Sequence, residues 1–386
     1  MKAARRLDEI APFRVMELLA RANELAELGH DVIHLEVGEP DFGTPVPIVE
    51  AAQSALSRGE TRYTDARGNF VLREAIAEFY KNRYAVSVSP DRIVVTAGAS
   101  GGLLLLSALL MDPGDNLLMT DPGYPCNRHF LSSFNANALL VPVSAEDNYQ
   151  LTPEAIGRYW NERSRGALVA SPANPTGSVL SLTDAEKLAD EVSKRGGVLI
   201  ADEIYQGLVY ESDQTDTVLK VSDEAFIVNS FSKYFGMTGW RLGWVIVPET
   251  FTRDLEKLAQ NLFICPSAIA QAAAVAAFEE ETIEILEEHR AEFATRRNFL
   301  VPAMRELGFD VPLMPAGAFY VYAGLPDSVE EDSESFCWKL LEDEYVAITP
   351  GTDFGFLEAD RRIRVSYARD LSQLEQAVAR IERVLR

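Results

Sequence analysis

The chain has 386 residues, 47% of them hydrophobic and 25% charged, and a formal net charge of −23. That length leaves room for about two to three domains of ordinary size and a large buried core. The acidic balance argues against nucleic acid as a partner, because binding a polyanion needs a basic footprint; the cysteines Cys126, Cys265 and Cys337 form no CxxC and the four histidines have no metal-ligand spacing, which argues against a disulfide framework and a metal site and fits a reducing, cytoplasmic compartment.

Charges interrupt the N-terminal stretch, so no secretory leader is expected in it. Val15, Leu18, Leu19, Ala22 and Ala26 mark one face of an amphipathic helix. Strand-length apolar runs follow at 93–96, 116–120, 138–143, 168–171, 198–202, 226–229 and 243–247. Most are unbroken, as expected for strands covered on both faces of an α/β sheet. Between them, 103–111 reads as a buried helix too short to cross a bilayer. Thr152 with Pro153 starts another helix, and Thr183 with Glu186 has the form of a capping box. The run 268–278 is apolar nearly all round and should be deeply buried. Beyond about residue 287 the pattern changes to a long charged helix (287–307), strand-like runs at 318–323, 346–349 and 362–367, and an amphipathic helix from Leu371. This organisation predicts a large domain, 46–286, and a smaller α+β domain made of 1–45 and 287–386.

Several segments carry candidate chemistry. In SFSKYFGMTGWRLGW (230–244), Lys233 stands beside Ser230 and Ser232, with Arg241 downstream. An amine next to hydroxyls and a guanidinium suits a phosphorylated aldehyde: the amine condenses with the carbonyl while the other groups hold the phosphate. Taken alone, the segment is also compatible with a Gly-rich surface loop. LIADEIYQGLVY places Asp202 at a strand end, with Tyr205 shortly after. SPANPTG carries Asn174 at a similar strand-to-loop position. TAGASGG, with Gly98, Ala99 and Ser100, leads from a strand into a helix whose free N–H groups and dipole attract anions.

In this order, the motifs resemble those of the pyridoxal-phosphate (PLP) aminotransferases of fold type I, class I/II, the aspartate aminotransferase superfamily. The match runs from VGEPDF near residue 38 to RIRVSYA near residue 364. The resemblance implies an α/β fold with a mostly parallel seven-stranded sheet flanked by helices, plus a smaller α+β domain. It implies PLP as cofactor, and an L-amino acid and a 2-oxo acid as substrates of a ping-pong exchange. Lys233 matches the Schiff-base lysine, which also moves the proton at the substrate's α-carbon. Asp202 matches the carboxylate that keeps the pyridine nitrogen protonated; read alone it is also a good helix N-cap. Tyr205 and Asn174 match the groups that hydrogen-bond the ring's phenolic oxygen, although Asn-Pro is also a turn starter. Gly98, Ala99 and Ser100 match the phosphate cradle, joined by Ser230, Ser232 and Arg241.

Tyr124, in DPGYPCN, matches the aromatic that stacks on the ring; aspartate-preferring relatives commonly carry Trp there, so aspartate specificity does not follow. Arg364, in RIRVSYA, matches the clamp on the substrate α-carboxylate. Arg362 shares its strand face and is the rival, while Arg361 and Arg362 also read as surface salt-bridge residues. Gly38 matches a position whose backbone lines the substrate pocket. Tyr63, in RYTDARG, matches a tyrosine that reaches the phosphate of the neighbouring subunit, which implies a homodimer with shared active sites; the alternative is an aromatic buried in its own loop. The same residues would also serve a PLP-dependent lyase, for example one catalysing carbon–sulfur β-elimination, or a non-catalytic PLP-binding regulator. Nothing in the sequence stands out as a second basic residue for a dicarboxylate, and the amino donor is open.

Overall fold

Apolar strand-forming runs organise the computed structural model, which describes residues 2–210 and 216–386. In chain order the strands are β1 (Ile33–His34), β2 (Ile93–Thr96), β3 (Asn116–Asp121), β4 (Asn137–Pro142), β5 (Ser164–Ala170), β6 (Val198–Asp202), β7 (Phe226–Ser230), β8 (Gly243–Ile246), β9 (Tyr320–Gly324), β10 (Val346–Ala347), β11 (Thr349–Pro350) and β12 (Arg362–Ser366). The runs predicted between residues 93 and 247 all join one seven-stranded sheet, in the order β2-β8-β7-β6-β5-β3-β4. Its neighbours are parallel except where β8 meets β2 and β7.

Successive residues of these strands enter two separate cores, one on each face of the sheet. Val95, Val169, Leu199 and Ile227 belong to one; Val94, Leu168, Ile200 and Val228 belong to the other. Both faces are therefore dry, which is why the strand sequences lack polar alternation. Each fully buried side chain of this size contributes about 1.5–3 kcal/mol of transfer free energy. A second, three-stranded antiparallel sheet, β11-β12-β9, lies in the C-terminal part, and β1 pairs parallel with β10. The Arg14–Glu27 helix packs against β10 and β11. Its first N–H groups, on Arg14 and Val15, donate to the Asp353 carboxylate at 2.9 and 2.8 Å, a cap supplied from far along the chain. Among the described residues, no helix is long and apolar enough to cross a membrane.

Local details differ from expectation for identifiable reasons. Leu25, not Ala26, continues the buried stripe of Val15, Leu18 and Ala22, and Leu19 is only half-buried. The expected cap at Thr183 and Glu186 is instead at Ser181, whose hydroxyl accepts from the Asp184 N–H at 3.1 Å and donates to the Asp184 carboxylate at 2.7 Å, starting the helix at Leu182. The long charged helix spans Glu280–Glu306, because Thr282 and Leu286 are already buried before residue 287. Position 287 thus falls inside one continuous helix. The run 346–349 divides between β10 and β11, and β9 begins only at Tyr320 because Ala318 has a left-handed backbone (φ 57°) that a strand cannot continue.

Candidate active site

β5, β6 and β7 are parallel neighbours, so their carboxyl ends lie side by side. Asn174 follows β5, Asp202 is the last residue of β6, and Ser230 is the last of β7. Ligand crevices of open α/β sheets form at this end. A cavity of about 320 Å³ opens here, bordered by Tyr124, Asn174, Asp202, Tyr205, Lys233 and Arg364, and also by Gly38, Ala99, Ser100, Ser232 and Arg241.

One end of the cavity is made by close backbone approach. Gly243 of β8 pairs with Thr96 on one side and Ser230 on the other. A Cβ there would stand 2.7 Å from the Asn229 oxygen and 2.9 Å from the Ala99 nitrogen. Gly98 has φ 71°, and a Cβ on it would lie 2.6 Å from Arg241 Nη2. The Gly98–Leu110 helix begins at this point, and Ala97 offers its first turn no side-chain cap. The Ala99 and Ser100 N–H groups therefore lack helical partners and border the cavity. Arg241 Nη1 donates to the Thr238 carbonyl at 3.0 Å and lies 3.5 Å from Ser232 Oγ. Ser230 does not border the cavity. Its hydroxyl accepts from the Ser232 N–H at 3.1 Å and lies 2.9 Å from Ser232 Oγ, so it orients Ser232. Gly98 likewise contributes room rather than a contact. Helix N–H groups, two hydroxyls and a guanidinium converging on one point make an anion site.

Lys233 borders the cavity. Its Nζ donates to the Gly38 carbonyl at 2.6 Å and lies 5.9 Å from the centre of the Tyr205 ring. Burial pushes its pKa down to about 8; Arg364 and Arg241 push the same way, and Glu39 and Asp202 oppose them. At neutral pH a useful fraction of this amine is therefore unprotonated. Asp202 is 5% exposed. Burial raises its pKa to about 6, against the Ile204 N–H, which donates to Oδ1 at 3.2 Å, and against Lys233. The Tyr205 hydroxyl meets that of Tyr320 at 2.7 Å. Tyr124 is partly buried, edge-on to Phe13 with ring centres 6.4 Å apart.

Arg364 is 3% exposed and enters the cavity from β12. Its Nη1 donates to Asn174 Oδ1 at 3.0 Å, and its Nη2 to the Glu36 carbonyl at 2.5 Å. The guanidinium lies 4.4 Å from the Tyr320 ring centre and 4.7 Å from that of Phe354. Its Nε has no hydrogen-bond partner. Because Asn174 Oδ1 accepts from Arg364, the Asn174 amide N–H groups are the ones left to donate elsewhere. Arg362 instead pairs with Asp310 and Glu358 at 2.8 and 2.9 Å, outside the cavity. Arg361 has no salt bridge among the described residues: it donates to the carbonyls of Val329, Glu331 and Pro326, tying down a loop. Tyr63 is 85% exposed, so it is not an aromatic buried in its loop, and it does not border the cavity of its own chain.

Other residues of the cavity escaped the sequence reading. Tyr320 joins Tyr205 to Arg364; its trace in the sequence is the alternating aromatic run Phe319–Tyr322. Phe13, Val15, Met16 and Val37 also border the cavity; no local motif announces this, because it depends on where the first helix docks.

Comparison with known proteins places these features in context. A family model described as aminotransferase class I and II matches residues 30–381. The chain is 39% identical over 373 residues to the valine–pyruvate aminotransferase of Mycobacterium tuberculosis, covering 96% of each chain. It is 36% identical over 385 residues to the aspartate aminotransferase of Thermotoga maritima, covering 98% of each. Among solved structures it is similar to an aminotransferase from Mycobacterium tuberculosis, with a TM-score of 0.96 and 38% identity over 100% of this chain and 99% of that one.

Proposed function

This chain belongs to the class I and II aminotransferases, and we propose that Lys233, Asp202 and Arg364 carry that family's chemistry in the cavity at the ends of β5, β6 and β7. The enzyme moves an amino group between an L-amino acid and a 2-oxo acid in a ping-pong cycle and depends on PLP. Its relatives are named transaminases, so carbon–sulfur elimination on the same residues is not favoured. PLP, when bound, supplies an aldehyde that takes up the amino group and a ring that withdraws electrons from the substrate's α-carbon.

The residues present fit that group. The Ala99 and Ser100 N–H groups, the Ser100 and Ser232 hydroxyls and Arg241 would hold the phosphate; a Cβ on Gly98 would run into Arg241, and one on Gly243 into the Ala99 backbone. Asp202 would hold the proton of the ring nitrogen; a cationic partner there offsets the burial that now raises its pKa. Tyr124 would stack on the ring. Asn174 and Tyr205 would donate to its phenolic oxygen, with Tyr320 fixing the Tyr205 hydroxyl. Lys233 supplies the linking amine and then carries the proton at the α-carbon, a task suited to a base with a pKa near 8. Arg364 binds the α-carboxylate. Asn174, the Glu36 carbonyl and two aromatic rings hold its guanidinium rigid, so the α-carbon is positioned before reaction.

The observation that carries this reading is the shared cavity of Lys233, Asp202 and Arg364. The test is Lys233→Ala in the PLP-loaded enzyme. We expect loss of the borohydride-reducible covalent linkage and of nearly all turnover, with the fold intact by circular dichroism. A variant that stays active and still traps cofactor covalently would refute the assignment.

Exposed Tyr63, Phe70, Val71, Leu262 and Ile264 lie on segments joined by hydrogen bonds from Thr64 to Cys265 and from Asn69 to Gln271, and exposed Val46 begins the Val46–Ser57 helix, which packs on the Ala268–Val275 helix. Such apolar side chains on one side suit an isologous interface. The working form is then a homodimer in which Tyr63 reaches the partner's phosphate site. Residues 46–286 would be the cofactor-binding domain, and 1–45 with 287–386 the smaller one. A cytoplasmic location agrees with three unpaired cysteines. The relatives' names differ in amino donor, so family membership alone leaves the substrate side chain open.

A further inference from the structure

Lys233 opens a turn. The Gly236 N–H donates to the Lys233 carbonyl at 3.3 Å, so Tyr234 is the first residue inside that turn. Tyr234 is 4% exposed and does not border the cavity. Its hydroxyl donates to Glu287 Oε1 at 2.6 Å. The same oxygen accepts from Arg83 Nη1 at 2.8 Å, and Glu287 Oε2 accepts from Arg290 Nε at 2.6 Å. Arg290 Nη1 in turn donates to the Val209 carbonyl at 2.9 Å, and the Arg83 guanidinium lies 5.6 Å from the centre of the Tyr234 ring. Burial works against the charge on Glu287, but Tyr234, Arg83 and Arg290 together hold its pKa below the ordinary carboxylate value. The Tyr234 hydroxyl therefore ends on a charged acceptor gripped by two arginines, one from the Phe70–Tyr84 helix and one from the Glu280–Glu306 helix.

The ring is equally confined. A Cβ on Gly207 would stand 2.2 Å from Tyr234 Cγ, so the ring lies against the Gly207 backbone. Gly207 belongs to the turn that Tyr205 opens, in which the Leu208 N–H donates to the Tyr205 carbonyl at 2.8 Å. One side chain thus packs on the turn carrying Tyr205, while its own backbone forms the turn carrying Lys233. The Lys233 amine and the Tyr205 ring centre are 5.9 Å apart, and Tyr234 ties their two turns together.

We propose that Tyr234, anchored by Glu287, is a positioning residue for Lys233: it fixes the turn from which the lysine reaches the cavity. The inference rests on the assignment of Lys233 proposed above. An amine that must meet an aldehyde and then an α-carbon gains rate from a fixed origin, because a misplacement of about 1 Å can cost about 100-fold.

The test starts from apoprotein mixed with PLP. Borohydride trapping at timed intervals gives the rate at which the covalent link forms, turnover gives kcat, and thermal melts report folding. Tyr234→Phe keeps the ring on Gly207 and removes only the hydroxyl. It should slow link formation and lower kcat by about ten- to 100-fold, the scale of one hydrogen bond to a charged group and of about an ångström of misplacement. The Kd of an unreactive monocarboxylate held by Arg364 should change less than about twofold, since that clamp is untouched. Glu287→Ala should act the same way, and the double variant should lose no more than the worse single, because the two residues work as one unit. Glu287→Gln keeps an acceptor for the hydroxyl and should recover most of the loss. If Tyr234→Phe does not fold, the two Glu287 variants carry the same comparison. Wild-type link formation and kcat in Tyr234→Phe, whatever its melting temperature, would overturn the inference, and so would additive losses in the double variant. Lys233→Ala run alongside separates the two readings. If it still traps cofactor, the Lys233 assignment falls and this inference with it; if it traps none while Tyr234→Phe behaves as wild type, only the role of Tyr234 falls.

Discussion

Replacing Arg364 separates its role from that of every other arginine in the chain. The guanidinium is buried, pinned by Asn174 Oδ1 at 3.0 Å and the Glu36 carbonyl at 2.5 Å, and held between the rings of Tyr320 and Phe354. Its unpartnered Nε shows that the protein does not use all its donors. Hydrogen bonds to charged groups contribute about 1.5–3 kcal/mol each, so losing a two-bond grip on a carboxylate should cost about 2–5 kcal/mol. That is roughly a 30- to 5,000-fold loss in kcat/KM. Arg364→Ala should show this loss for every amino acid and oxo acid, since all share the α-carboxylate. Arg364→Lys keeps the charge but not the fork or the ring contacts, and should fall between. The Ala variant leaves Asn174 Oδ1 and the Glu36 carbonyl without their donor, so thermal melts of both variants separate misfolding from lost binding. Arg362→Ala is the control. Its partners Asp310 and Glu358 have side chains 61% and 62% exposed, and such a pair contributes at most about 1 kcal/mol. If Arg362→Ala loses as much kcat/KM as Arg364→Ala, or if Arg364→Lys melts like wild type yet keeps wild-type KM values, the clamp has been misplaced.

Asp202→Asn should retain bound PLP but lose several kcal/mol of transition-state stabilisation, on the scale of about 3–4 for a preorganised electrostatic group; a near-normal kcat with cofactor bound would exclude the ring-nitrogen role. Glu203, next to it, is 1% exposed and has its pKa raised by burial to about 8 from 4.5, against the Val218 N–H and Thr217 hydroxyl that bond it. Between those values the folded state keeps a proton that the unfolded state has released, so stability falls as pH rises from about 4.5 to 8. Glu203→Gln removes this cost: its melting temperature should match wild type near pH 5 and exceed it near pH 8, by the equivalent of about 2–4 kcal/mol, and parallel pH profiles would refute the neutral acid. For Tyr63, mixing inactive Lys233→Ala with inactive Tyr63→Asp protein and refolding should restore part of the activity, because one site of the mixed dimer carries neither lesion; mixtures that stay inactive, or an active monomer in sedimentation, would return Tyr63 to a merely exposed aromatic.

Much of this protein follows from local sequence. The strands of the large sheet are unbroken apolar runs because both faces are buried, and dry faces leave no alternation to misread. The residues at their carboxyl ends sit in short turn motifs, so Asn174, Asp202, Lys233 and Gly98 were legible before any folding. Gly243 marks a place where backbones approach too closely for a Cβ, and Gly98 one where a Cβ would meet the Arg241 guanidinium. What the tertiary structure decided lies wherever a residue's meaning depends on a distant partner. Period-2 alternation puts Arg362 and Arg364 on one strand face, and only packing buries one against Tyr320 while leaving the other to exposed carboxylates. Thr183 and Glu186 have the form of a cap, but Ser181 and Asp184 make it, since the choice turns on where the chain enters the helix. Phe13, Val15 and Met16 reach the cavity because the first helix docks through Asp353. Short-range sequence encodes strands, turns and the reactive groups they carry, because those depend on backbone preference and burial period. The lining of the cavity is contributed by segments far apart in the chain, and only the folded arrangement brings them together.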